Sequence, residues 1–288
     1  MASPRKTWLV TGASSGLGAE ICLAALRKGD KVVGTARNIE KAKRDNASFG
    51  ELGGHWLELD VTWATCEDVV ANAVAELEVN VLVNNAGYAE GGTLEDSSLD
   101  DIRAQFETNV FGAFKVLKGC IPHFRAHRRG VIVNISSTAA VAPHCYFSSY
   151  AATKFALEGA SESLTEELEP FGIRVIMVQP GAFRTNFFGA LKYTPISDAY
   201  KGTIVEDTVK IFEEFEGKQP GDPTRAGIAV VDIVHASGKG KLVATNSRVQ
   251  LGSDAVEKTR GKLAVLKQDW SKGEELSRWC AFEDAREP

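Results

Sequence analysis

The sequence predicts an α/β fold: a Rossmann-type, doubly wound parallel β-sheet flanked by helices on both faces. Three observations predict it. Short runs rich in valine, isoleucine and leucine alternate with helix-length segments as far as about residue 180. Most of these runs do not alternate polar and apolar residues, which is how strands covered on both faces read. A glycine-rich turn joins the first run to the first helix. Strands alternating with helices imply βαβ units, and right-handed crossovers place helices on both sides of one sheet.

The strand candidates are residues 8–10, 31–35, 55–59, 79–83, 131–135 and 174–178. Between them, helices are predicted over 18–28, 66–76, 99–124 and 149–169, with Gly29, Gly130 and Gly172 as C-terminal stops. After Pro180 the rhythm breaks. Residues 182–203 carry Phe183, Phe187, Phe188, Leu191, Tyr193, Pro195 and Tyr200 without a clean period, the mark of a lid or pocket loop. Helices are predicted near 204–216 and from Pro223 to about Ser237, a last strand within 241–251, and a helix over 254–270. No linker or repeat interrupts the chain, so one dinucleotide-binding domain is expected over 1–288, with a substrate lid at about 182–216 and a variable C-terminal region from about 240.

Composition excludes several classes. The 288 residues are 44% hydrophobic and 25% charged, with a formal net charge of -5. That is ordinary globular composition without a nucleic-acid footprint. The basic run Arg125, His127, Arg128 and Arg129 reads as a helix C-terminus, where the dipole favours cations. Cys22, Cys66, Cys120, Cys145 and Cys280 are scattered and odd in number, which fits neither a disulfide framework nor a zinc site. His123 and His127 share a helix face, but no third ligand is evident nearby in sequence; His55 and His235 are isolated. No segment is long and apolar enough to insert in a membrane, and the N-terminus lacks a signal-peptide core, so a cytoplasmic location is expected. Asn134-Ile135-Ser136 falls in a buried strand and is not expected to be glycosylated. The five tryptophans are read as core or cover.

Thr11-Gly12-Ala13-Ser14-Ser15-Gly16-Leu17-Gly18 lies between the first strand and first helix. Gly12 permits the sharp turn, Gly16 the approach of backbone to a pyrophosphate, and Gly18 close packing of helix on strand. The helix N-terminus offers free N–H groups and a positive dipole end to phosphates. An NAD site usually carries Asp or Glu at the end of the second strand, to bind the ribose 2′-hydroxyl. Here that place reads Gly34-Thr35-Ala36-Arg37-Asn38. Arg37 suits a 2′-phosphate by its planar fork and permanent charge, assisted by Asn38 and Ser14. NADP(H) is therefore predicted over NAD(H).

Tyr150-Ala151-Ala152-Thr153-Lys154 puts a phenol and an ammonium on one helix face. Ser136 and Ser137 end the strand upstream; alternation lets one of them face the site. With Asp60-Val61, Asn84-Asn85-Ala86-Gly87, Asn109 and Pro180-Gly181 followed by Thr185, the chain resembles the short-chain dehydrogenase/reductase family in its simple form, in order and spacing to about residue 185. The resemblance implies catalytic roles for Asn109, Ser137, Tyr150 and Lys154. Tyr150 is the expected acid in reduction and base in oxidation. Lys154 is expected to lower the Tyr150 pKa and hold the nicotinamide ribose, Ser137 to bond the developing alkoxide, and Asn109 to hold a water linking Lys154 to solvent. By position, Asp60 and Val61 would lie by the adenine and Asn85, Ala86 and Gly87 by the ribose, with Pro180, Gly181, Phe183 and Thr185 by the nicotinamide.

The expected partner is a small-molecule ketone, aldehyde or secondary alcohol. The aromatic lid points to a hydrophobic one. His144, Cys145 and Tyr146 read equally as pocket lining or plain loop. A homodimer or homotetramer built on helices 99–124 and 149–169 is expected from the resemblance. Two alternatives stand beside this reading: a non-catalytic NADP(H)-binding sensor, which a missing Tyr or Lys would have favoured, and a redox-neutral relative such as a dehydratase or epimerase.

Overall fold

A computed structural model describes residues 5–282; the ends of the expected domain and of its C-terminal region, 1–4 and 283–288, lie outside the described residues. β1 (Thr7–Val10) leads through the glycine turn into α1 (Gly16–Arg27) and β2 (Lys31–Ala36). Short helices α2 (Ile39–Asp45) and α3 (Ala47–Glu51) precede β3 (His55–Glu58), and α4 (Cys66–Glu76) precedes β4 (Val81–Asn84). A two-residue strand β5 (Glu90–Gly91), α5 (Leu99–Phe106), a π-helical turn at Glu107–Gly112 and α6 (Ala113–Ala126) lead to β6 (Gly130–Ile135). Then come α7 (Ser148–Leu168), β7 (Ile173–Pro180), β8 (Lys192–Tyr193), α8 (Ile204–Glu214), α9 (Pro223–His235), β9 (Arg248–Leu251) and α10 (Ser253–Trp279).

Seven strands form one parallel sheet in the order β3-β2-β1-β4-β6-β7-β9. The chain builds outward from β1 through β2 to β3, then restarts on the other side of β1 with β4. That reversal opens a crevice beyond the carboxyl ends of β1 and β4, where open α/β sheets take their ligands.

The unalternating apolar runs arise because neighbouring residues serve opposite layers. Trp8, Val10, Val83 and Val133 pack with Ile21 and Ala25 of α1 and Val230 and Val234 of α9. Leu9, Leu82 and Ile132 face the other way, onto Val70 of α4 and Val116 and Cys120 of α6. Fully burying such a side chain contributes about 1.5–3 kcal/mol, so both faces of the sheet are held.

The structure departs from the sequence reading at identifiable places. The predicted helix over 99–124 is interrupted by the π-helical turn. Gly130 begins β6, and Arg128 takes the left-handed turn in its stead at φ 48. β3 lies at the sheet edge, with His55 and Glu58 exposed. The last strand is confined to Arg248–Leu251 because Gly238–Val243 winds into a 3-10 helix. His235 is not isolated: its Nε2 meets buried Asp30 Oδ2 at 2.7 Å, and that oxygen also accepts from Trp8 Nε1 at 2.8 Å. Trp270 and Trp279 stand exposed on α10 rather than covering a core. Asn134 is fully buried and donates to Ser161 Oγ at 2.8 Å. Among the described residues no helix is long and apolar enough to cross a membrane.

Candidate active site

The turn after β1 is clamped by the loop after β4. Thr11 Oγ1 accepts from the backbone N–H groups of Asn85 and Ala86, each at 3.0 Å. Asn85 Nδ2 donates to the carbonyls of Thr11 and Gly12, each at 3.0 Å. Asn85 therefore braces the turn, in addition to lining the cavity. Gly12 sits at φ +64, a conformation side chains resist. A Cβ on Gly18 would lie 2.4 Å from both Gly12 O and Asn85 Nδ2. Gly18→Ala is therefore expected to push helix and turn apart and cost about 1–3 kcal/mol, read as a lowered midpoint in chemical denaturation together with weakened cofactor binding.

The first turn of α1 suits an anion. Ser15, its N-cap, makes no side-chain capping bond, and no acidic residue occupies the first turn. Its N–H groups and dipole end open onto a cavity of about 920 Å³. Gly12, Ser14, Ser15, Gly16 and Leu17 line one end of it, with Thr185 set against Gly16; Asp60, Val61, Asn85, Ala86 and Gly87 its middle; Ser137, Tyr150, Lys154, Pro180, Gly181 and Phe183 the other end. Exposed Arg37 borders this cavity and a second one of about 590 Å³, shared with Asn38 and Lys41. Asn38 is already engaged: its Oδ1 accepts from Lys41 N at 2.8 Å and caps α2. Gly18 lies beneath the turn and Asn109 behind the cavity, so neither is among its lining residues.

Tyr150 and Lys154 project from the N-terminal half of α7, both buried. Lys154 Nζ donates to Ile135 O at 2.9 Å and lies 5.8 Å from the centre of the Tyr150 ring. Ser137 lines the cavity with Tyr150 and its Oγ accepts from Ala139 N at 3.0 Å, while Ser136 turns to donate to Glu158 Oε1 at 2.5 Å. Asn109 lies in the π-helical turn, a distortion frequent at functional sites. Its amide accepts from Tyr88 N at 3.0 Å and donates to Tyr88 O at 2.8 Å and Thr153 Oγ1 at 3.1 Å. These bonds tie the loop after β4 to α7. A Cβ on Gly87 would press on Asn109 Oδ1 at 3.0 Å and touch Lys154 Nζ at 3.8 Å, so a side chain there would push on Asn109.

The electrostatics differ from expectation in one respect. Burial pushes the Tyr150 phenol up to about 12, opposed by the hydrogen bond from Ser137. Burial lowers Lys154 to about 8, opposed by the charge of Glu158. In the chain alone, desolvation therefore outweighs any downward pull of Lys154 on Tyr150.

Sequence reasoning missed the group behind Lys154. Glu158 is buried, with Gln179 Nε2 donating to its Oε1 and Oε2 at 2.8 and 2.9 Å. Arg248 of β9 reaches Glu158 Oε2 at 3.0 Å and Glu162 at 2.5 Å. The available signal was spacing, since Glu158 follows Lys154 at i+4 on the same helix face.

Aromatic residues close the outer side. The Phe187 ring lies 6.2 Å from that of Tyr150, and Phe188 is stacked 6.0 Å from Phe212. Phe147 and His144 approach Phe212 at 4.6 and 5.8 Å. Of the three loop residues, His144 lines the cavity. Cys145 is exposed, its Sγ 3.0 Å from Thr208 Oγ1, and Tyr146 donates to Thr194 O at 2.5 Å.

A glycine turn opening on a switch-point crevice, with a tyrosine and a lysine at its far end, defines an oxidoreductase that binds a nicotinamide cofactor. The family profile described as short chain dehydrogenase matches residues 6–195, and the chain belongs to that family. Oxidoreductase claN of Passalora fulva is 50% identical over 201 residues, 69% of this chain and 92% of that protein. The 3-ketodihydrosphingosine reductase of Bacteroides thetaiotaomicron is 35% identical over 231 residues, 78% of this chain and 82% of that protein. The crystal structure of a short-chain dehydrogenase from Streptomyces avermitilis superposes with a TM-score of 0.86 at 38% identity, covering 97% of this chain and all of that one.

Proposed function

We propose that the protein is an NADP(H)-dependent reductase of hydrophobic ketones or aldehydes. The observation that carries the reading is the convergence of Ser137, Tyr150 and Lys154 at one end of a cavity whose other end is the uncapped N-terminus of α1. The cradle suits a dinucleotide, since the N-terminus of α1, with no side-chain cap at Ser15, opens on it and the small residues Gly16, Ala86 and Gly87 line it. When bound, a nicotinamide supplies the hydride taken up by the substrate carbonyl carbon. Tyr150 gives its phenolic proton to the carbonyl oxygen, and Ser137 hydrogen-bonds that oxygen as negative charge develops on it. A phenol held near 12 is protonated at neutral pH, the form a proton donor in reduction requires. Lys154, beside the Tyr150 ring, stabilises the phenolate left behind and would bond the ribose hydroxyls. Asn109 fixes the loop against which Lys154 rests.

Preference for NADP(H) is supported by Arg37, which borders an open cavity and stands where residues 34–38 at the end of β2 carry no Asp or Glu. Arg37→Ala is expected to raise the KM for NADPH roughly tenfold or more and leave that for NADH nearly unchanged, because a charge-assisted contact to phosphate contributes about 1.5–3 kcal/mol. Steady-state titration of both cofactors checks this, and equal effects on the two would remove Arg37 from the phosphate site.

A hydrophobic substrate is supported by Phe147, Phe187, Phe188 and Phe212 around the outer cavity. One relative is named a 3-ketodihydrosphingosine reductase, a name that gives it a keto substrate. Half-exposed Phe111 and Phe155, in the π-helical turn and on α7, supply apolar surface for the association of copies through these helices; light scattering coupled to gel filtration would give the oligomer number. The primary test is NADPH consumption, followed by absorbance, against a panel of ketones, aldehydes and quinones. Turnover restricted to short polar carbonyls would overturn the substrate class. Tight NADPH binding without turnover on any carbonyl would favour a cofactor sensor.

A further inference from the structure

We propose that Glu78, His123 and His127 form a binding site for one divalent transition-metal ion, with zinc the best match to the donor set. The ligand atoms of the three side chains all lie within 4.8 Å of one another. Zinc bonds nitrogen and oxygen at 2.0–2.2 Å, which puts ligands of one tetrahedral ion roughly 3.3 Å apart. His127 and Glu78 are exposed and His123 is half-buried, so small side-chain rotations close the remaining gap. Two histidines at i and i+4 on a helix form a ready chelate, and here their rings already lie 4.1 Å apart. His127 Nδ1 donates to His123 O at 2.9 Å. That bond fixes the tautomer and leaves Nε2 as the ligating atom, the arrangement metal-bound histidines usually show.

The third ligand comes from a different part of the chain. Glu78 follows α4, and the histidines end α6. Both helices run back to the amino ends of their strands, so the fold alone brings the three together. Arg129 is the competing partner, with Nη2 3.7 Å from Glu78 Oε2. That pair is solvent-exposed on both sides and weak. Two imidazoles and a carboxylate form a set that zinc accepts with a fourth position open to water. The site lies at the opposite end of the sheet from the Tyr150 cavity. Its effect is to tie α4 to α6, not to take part in the reaction.

The test uses the full chain without a histidine tag, stripped with chelator and titrated with Zn²⁺ by calorimetry. One equivalent is expected to bind and to raise the thermal midpoint. His123→Asn, His127→Asn and Glu78→Gln are each expected to weaken binding roughly tenfold or more, since loss even of an outer-sphere partner costs that much. Turnover with NADPH should stay unchanged in all three, which also shows that they fold. Absence of binding, or undiminished binding in both histidine variants, would overturn the site. Thiolate charge-transfer bands with Co²⁺ would do the same, by moving the metal to Cys145 or Cys280.

Discussion

Tyr150→Phe is expected to cut NADPH-dependent ketone reduction by roughly 10²–10⁴-fold in kcat, the contribution of a positioned general acid. The substitution removes one hydroxyl and leaves the ring in its aromatic setting beside Phe187. Cofactor affinity, measured by fluorescence titration, should change little, because Lys154 keeps its bond to Ile135 O. A fall in kcat with steady affinity separates loss of the acid from loss of the fold. The direction of the pH response follows from the same group. Since burial holds the phenol near 12, the acid form dominates across the neutral range, and Tyr150 should impose no acidic limb on reduction. Oxidation of the corresponding alcohol needs the phenolate and should rise with pH. Should Tyr150→Phe keep its rate within a few-fold, the proton would come from elsewhere and the reductase mechanism would fail.

What the sequence displayed, and what it hid, divides along a physical line. Local signals worked where one chain segment determines its own conformation. The glycine turn, the i, i+4 tyrosine–lysine pair and the buried parallel strands are of this kind, and the strand order places the first two at one crevice. Signals failed where a distant segment decides. Gly130 looks like a helix stop, yet Arg128 takes the left-handed turn, with its guanidinium on Pro170 O at 2.6 Å. Glu78 has no sequence relation to His123. His235 joins Asp30 and Trp8, themselves brought together by the β1–β2 pairing, only because α9 packs on α1. The π-helical turn at Glu107–Gly112 reads in sequence as ordinary helix, although it is what turns Asn109 toward Tyr88 and Thr153. The absence of a carboxylate after β2 was readable from the residues alone, whereas Asn38 gave no hint that its side chain caps α2.

The buried carboxylate behind the catalytic pair supplies the second large effect. Glu158→Ala is expected to destabilise the fold by about 3–5 kcal/mol, the cost of removing one partner from a buried ion pair. The lower end applies, because the Arg248 side chain is 35% exposed and can rehydrate. Ser136 and the Gln179 amide N–H groups would lose their acceptor, and Arg248 would keep only Glu162. Glu158→Gln is the sharper probe. The carboxylate only accepts, in four hydrogen bonds from three side chains, so a carboxamide would point its own N–H groups at some of them. The change also reaches Lys154. Its pKa, about 8, lies below the 10.5 of a free lysine, so the folded chain holds that proton less firmly than the unfolded chain does. Lys154 therefore disfavours folding at neutral pH, and this burden is relieved as pH rises from about 8 to 10.5. Glu158 supports the charged form, so its neutral replacement should move the alkaline limb of kcat/KM to lower pH and widen that window. A pH profile and urea melts on Glu158→Gln read both effects. Stability lost without a shifted limb would make Glu158 a support for β7 and β9 alone; a shifted limb would make it the group that keeps Lys154 charged beside Tyr150.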